Sequence, residues 1–172
     1  MILYVFAIAV IAVAIVGHVI KGRIARTWLG VLAGSLLAAA AVIRLFDDPI
    51  PDEHQLLKVV GLLAALLGGS LVTTAAFAQI DGEHPVEKDS LEAAGDVLRG
   101  GAWIGMLERF TIYLTLAAYY PAGIAYLVAI KGLGRYPELR KEERSGATER
   151  FIIGTLISAL WATVCALTFA FR

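Results

Sequence analysis

Long stretches without charge constrain this chain more than any other feature. The run from Ile2 to Ile20, ILYVFAIAVIAVAIVGHVI, contains no Asp, Glu, Lys or Arg. A helix of that length rises about 28 Å, close to the thickness of a bilayer's hydrocarbon core. Further apolar runs cover Trp28 to Leu45, Leu56 to Ile80, the region around Phe110 to Ile130, and Phe151 to Phe171. In lipid only helices and closed barrels satisfy their own backbone, and runs this long without period-two alternation select helices. The expected fold class is therefore all-α, a polytopic transmembrane helical bundle forming a single membrane domain over 1–172.

Composition agrees with that class. Hydrophobic residues make up 59% of the chain and charged residues 17%, against about 45–50% and about 25% in soluble domains. Fifteen Lys and Arg balance fifteen Asp and Glu, so no global field exists to attract nucleic acid. The lipid bilayer is the expected partner, and nucleic acid is not. Cys165 is the only cysteine and lies in an apolar run, which leaves no disulfide framework and no CxxC motif.

The first run lacks the preceding positive charge of a signal peptide; Lys21, Arg23 and Arg26 follow it instead. It is expected to remain as a first helix with its N-terminus outside. His18, near its end, reads as an interfacial or hydrogen-bonded histidine rather than a ligand. The loop FDDPIPDEHQ carries Asp47, Asp48, Asp52, Glu53 and His54, but its spacing matches no metal motif, so a solvated loop is expected and no metal. The third run holds Gly68, Gly69, Ser70, Thr73 and Thr74. Such small and hydroxyl residues serve tight helix packing or, alternatively, line a pore or substrate path. Between Asp81 and Arg99 lies the one long polar segment, with Leu91, Ala94 and Leu98 at helical spacing. It is expected to be a connecting surface helix, too acidic to bind anionic lipid.

Topology turns on Tyr119-Tyr120-Pro121. A hydropathy window draws one helix from Phe110 to Ile130 and gives five spans, whereas proline and paired tyrosines are typical of a turn at the membrane boundary and give six. The distribution of Lys and Arg separates the two. Five spans scatter the basic residues on both sides. Six spans, near 2–20, 28–45, 56–80, 101–120, 121–136 and 151–171, leave only Arg44, Lys58 and Arg172 outside and bury Arg109 and Lys131. The positive-inside rule favours six, with both termini outside and residues 81–99 in the cytoplasm.

In the hairpin so formed, Glu108 and Lys131 sit roughly 18 and 15 Å below the outer turn, at nearly one level. Arg135 shares the face of Lys131 at i, i+4. Glu108 and Arg109 are neighbours whose side chains diverge by about 100° and so meet different partners. Glu149 and Arg150 repeat the pair at the mouth of the last helix. Ionisable groups at such depths are expensive, so Glu108, Arg109, Lys131, Arg135, Glu149 and Arg150 form the candidate substrate-binding cluster.

The patterns WIG-x-LER (Trp103 to Arg109), A-x-K-x-x-x-R-[FY]-x-E-L (Ala129 to Leu139) and E-[RY]-x-x-IGT-L-x-S (Glu149 to Ser158) carry a resemblance. Residues 100–162 resemble the membrane-embedded C-terminal part of an uncharacterised bacterial family, a domain of unknown function. The resemblance implies a bacterial plasma-membrane protein in which Glu108, Arg109, Lys131, Arg135 and Glu149 matter. The chain departs from that pattern at Tyr119-Tyr120-Pro121, where relatives often carry a Gly-Gln type turn, and in its first three spans.

Two function classes fit these residues. In the first, four cations against Glu108 and Glu149 make a cationic cluster for a small anion or an anionic lipid headgroup, in a protein of transporter or channel type. Glu108 then balances charge or carries protons. In the second, the charges are structural salt bridges and the chain is a non-catalytic accessory subunit, a homo-oligomer or a partner of another membrane protein through the small-residue faces of its second and third helices. No nucleophile–base pair, metal motif or cofactor fingerprint is present in the sequence, so catalysis and cofactors are not expected.

Overall fold

The computed structural model describes residues 1–20, 22–46, 55–80, 101–141 and 145–170, with the backbone alone at 101–102, 135–141 and 145–148. The expected acidic loop after Phe46 and the expected surface helix between Asp81 and Arg99 lie outside the described residues. Among the described residues the protein is all-helical, with six helices: α1 Ile2–Val19, α2 Arg23–Phe46, α3 Gln55–Ile80, α4 Gly101–Ala117, α5 Ala122–Lys141 and α6 Ser145–Phe169. Four of them, α1, α2, α3 and α6, are long and apolar enough to cross a membrane.

The bundle is organised around α3, which packs against α1, α2, α4 and α6, while α5 packs on α4. Size is sorted in the opposite sense to a water-soluble core. Many buried positions are small, as at Ala7, Ala14, Ala33, Ala40, Ala64 and Ala65, beside a few large residues such as Tyr113, Trp161 and Phe169, whereas Ile8, Ile24, Leu45, Leu63, Ile130 and Leu156 point outward. Lipid removes the penalty on exposing large aliphatic groups, and small residues let helix backbones approach closely. On α3, a Cβ at Gly68 would run into the Trp161 ring of α6, and the indole N–H donates to the Ala64 carbonyl at 3.3 Å. Hydroxyls along the helices bond back one turn, as Thr73 does to the Gly69 carbonyl and Thr74 to the Ser70 carbonyl, both at 2.8 Å. That habit removes a donor which lipid could not satisfy.

The hairpin between α4 and α5 is present. Tyr119 has φ 57°, its N–H reaches the Leu116 carbonyl at 3.0 Å, and the Tyr120 N–H reaches the Thr115 carbonyl at 2.7 Å. These two bonds are a Schellman cap, here with tyrosine in the left-handed place that glycine usually takes. Pro121 follows, where its missing N–H is not needed, and its carbonyl accepts from Ile124 at 3.1 Å as α5 begins.

The first and third helices keep the expected ends to within one residue, whereas other helix ends differ from the sequence expectation. The second helix begins at Arg23 rather than Trp28, and the last at Ser145 rather than Phe151. Arg, Ala and Glu are good helix formers, so a helix outlasts its apolar run. The fifth helix continues past Pro137 to Lys141 rather than ending near Tyr136; proline biases the residue before it away from helix without forbidding one.

Candidate functional site

The turn at Tyr119 sets α4 and α5 antiparallel, and this places the cluster. Lys131 Nζ lies 2.6 Å from Glu108 Oε2, as equal depth on a hairpin requires. Lys131 also lies 5.2 Å over the ring of Phe151 on α6, so one ammonium group ties α5 to both α4 and α6.

Arg109, one position on, turns toward α3 and α6. Its Nη1 donates to Ser158 Oγ at 3.1 Å, and its side chain lies across Gly69, where a Cβ would strike it. Only 5% of the residue is exposed, and its Nε is buried without an acceptor. Among the described residues no carboxylate pairs with it; the ion pair of Glu108 is with Lys131. The one hydrogen bond of Arg109 among these residues is to a neutral hydroxyl. The nearby Glu108 carboxylate, which also acts on it electrostatically, is already paired with Lys131, so the guanidinium is only partly compensated against a burial cost of several kcal/mol per ion.

These groups surround a cavity of about 270 Å³ walled by Ser70, Thr73, Thr74 and Phe77 of α3, Gly105, Glu108 and Arg109 of α4, Lys131 of α5, and Gly154 and Ser158 of α6. It extends from mid-bundle toward the end that carries Arg150. Glu108 against Arg109 and Lys131 leaves one unbalanced positive charge on its wall. Ser158, accepting from Arg109, keeps its own O–H to donate. The donors free to meet a ligand in the cavity come from Arg109, Lys131 and Ser158, since Thr73 and Thr74 spend their hydroxyl hydrogens on backbone carbonyls. Among the described residues no group of His, Cys, Asp and Glu converges as a metal site requires.

Of the six sequence-derived candidates, Glu108, Arg109 and Lys131 line this one cavity. Arg150 instead lies 5.7 Å over the ring of Phe77, itself part of the cavity wall, and Glu149 is exposed. The side chain of Arg135 lies outside the described residues. Ser158, Phe77 and Gly154 were not singled out as site residues. Gly154 and Ser158 belong to the pattern that runs from Glu149 to Ser158, which was a signal for the segment but not for which turn of α6 faces Arg109; Phe77 carried none beyond residue type. The hydroxyl run of α3 does reach the cavity, whereas Gly68 and Gly69 are taken up by packing against Trp161 and Arg109.

No protein-family model, curated protein or solved structure matches the chain.

Proposed function

We propose that the chain is a multi-pass protein of the bacterial plasma membrane, of transporter or channel type, that admits a small anion or an anionic headgroup to the cavity at Arg109. The observation that carries this reading is Arg109 itself, buried, without a carboxylate partner, and lining a cavity of about 270 Å³. An oxyanion supplies the missing charge and accepts from the guanidinium fork in bidentate geometry. Lys131 and the Ser158 hydroxyl add further donors. The segregation of Lys and Arg to one side supports six spans with the cavity nearer the cytoplasm, and the resemblance of residues 100–162 supports the bacterial plasma membrane. Of the small-residue faces of the second and third helices on which the accessory-subunit reading drew, Gly68 and Gly69 of α3 are turned into the bundle, whereas Gly34 and Ser35 of α2 face outward.

The test is equilibrium binding of labelled sulfate and phosphate to the purified protein in nanodiscs of neutral lipid, with a parallel set containing phosphatidylglycerol. A free-anion site binds sulfate or phosphate in neutral lipid, whereas a headgroup site retains phosphatidylglycerol through purification and binds neither ion. Arg109→Met should remove either signal. Equal binding by wild type and Arg109→Met would contradict the proposal.

A further inference from the structure

A second polar contact joins the same cavity to α1. His18 Nδ1 lies 2.7 Å from the Ala14 carbonyl, and His18 Nε2 lies 3.2 Å from Ser70 Oγ. A carbonyl only accepts, so Nδ1 carries the proton and the neutral ring presents Nε2 as an acceptor. Ser70 then donates its hydroxyl hydrogen to His18, away from the cavity that Ser70 lines. The hydroxyl has a second acceptor, the Leu67 carbonyl at 3.3 Å, so it is a rotor with more than one setting.

We infer that anion binding in the cavity is linked to protonation of His18 through Ser70, so that the anion is taken together with a proton. This rests on the anion reading above. When His18 gains a proton, Nε2–H becomes the donor and Ser70 Oγ the acceptor. The serine hydrogen is released from the ring and turns toward Leu67 or toward an anion in the cavity. One proton on His18 thus adds a positive charge beside the cavity and changes Ser70 from a group presenting lone pairs to one able to donate. Binding and protonation favour each other by the same factor, as linkage requires.

His18 lies on the outside of the bundle in the last turn of α1, so its proton does not have to cross the bundle. The charged groups around it come from the helices packed on α1. Arg23 and Arg26 lie at the same end on α2, and the one charged residue of α3, Lys58, lies at the opposite end. Across α3, the cavity holds Glu108, Arg109 and Lys131. Glu108 is the competing proton site, and the test must separate it from His18.

Sulfate is the probe, because its charge does not change between about pH 5.5 and pH 8, the range that brackets the ordinary histidine pKa. In nanodiscs the wild type should bind sulfate about tenfold more tightly at the low end of that range. Sulfate added at the midpoint in weak buffer should be accompanied by proton uptake, read with a pH indicator and needing no variant. His18→Gln should keep the weak high-pH affinity and lose the pH dependence, with no proton uptake; Ser70→Ala, whatever its affinity, should likewise bind sulfate independently of pH and without proton uptake. If the pH dependence survives in both variants but is lost in Glu108→Gln, the proton resides on Glu108 and the inference is overturned, while the anion site stands. Arg109-dependent binding that is flat with pH in the wild type overturns it equally. No sulfate binding by the wild type at any pH removes the inference together with the free-anion form of the reading beneath it.

Discussion

Lys131→Met is the substitution whose consequence the geometry fixes most tightly. Methionine keeps the apolar stem and deletes the ammonium group, which strips Glu108 of its 2.6 Å partner. The Glu108 side chain is 10% exposed and that of Lys131 19%, so the pair is mostly out of solvent. Removing one partner of a fully buried pair costs about 3–5 kcal/mol, and because this pair borders a cavity, about 2–3 kcal/mol is the expected loss. For a chain of this length each kcal/mol shifts the midpoint by about 2–4 °C, so thermal unfolding in detergent should fall by about 4–12 °C. Glu108→Gln should cost less, about 1 kcal/mol, because the lysine left behind can extend toward water. The double variant Glu108→Gln/Lys131→Met should therefore recover at least half of the loss caused by Lys131→Met, a coupling of about 2–3 kcal/mol. Strict additivity, or a Lys131→Met midpoint unchanged from wild type, would show that the two groups do not share a buried contact and would refute the placement of α5.

Other substitutions probe the remaining joints. Gly68→Ala should destabilise by about 1–3 kcal/mol because its Cβ meets the Trp161 ring, whereas Gly34→Ala, where a Cβ meets nothing within 4 Å, should be neutral or better in the same melting assay. At the left-handed Tyr119, Tyr119→Gly should melt higher than Tyr119→Val by about 1–2 kcal/mol, since a β-branched residue tolerates positive φ least. In a Cys165→Ser background, single cysteines at Ala122 and Glu149 should react with a membrane-impermeant thiol reagent from opposite sides, Ala122 from outside; labelling of both from one side would remove the six-span topology.

Much of the fold was legible in the sequence because the bilayer limits what an apolar run can become. The helical class follows from length and hydropathy, and the hairpin from Tyr119-Tyr120-Pro121, where a local signal coincided with the asymmetry of Lys and Arg. Counting residues back from that turn was enough to place Glu108 opposite Lys131. What the sequence could not carry is tertiary choice. Arg109 was legible as a costly buried charge, but its hydroxyl partner Ser158 lies on a helix far along the chain, and no periodicity selects it. Glu149 and Arg150 repeat the Glu108-Arg109 pair in sequence, yet α6 begins at Ser145, so the pair sits inside a helix whose rotation turns Glu149 outward and lays Arg150 on Phe77. His18 was read as a hydrogen-bonded histidine, and its bond is to Ser70, a link between α1 and the cavity wall that chain spacing does not reveal.

The most direct test of an anion cavity at Arg109 is protection of a thiol placed in its wall. Thr74 lines the cavity and is exposed, so Thr74→Cys in the Cys165→Ser background is the reporter, assayed with an impermeant thiol reagent in inverted and right-side-out vesicles. Labelling should proceed from the cytoplasmic side, slow in the presence of sulfate, and lose that protection when Arg109→Met is added. Labelling that sulfate does not slow, or that it slows equally without the arginine, would contradict a free-anion site at Arg109.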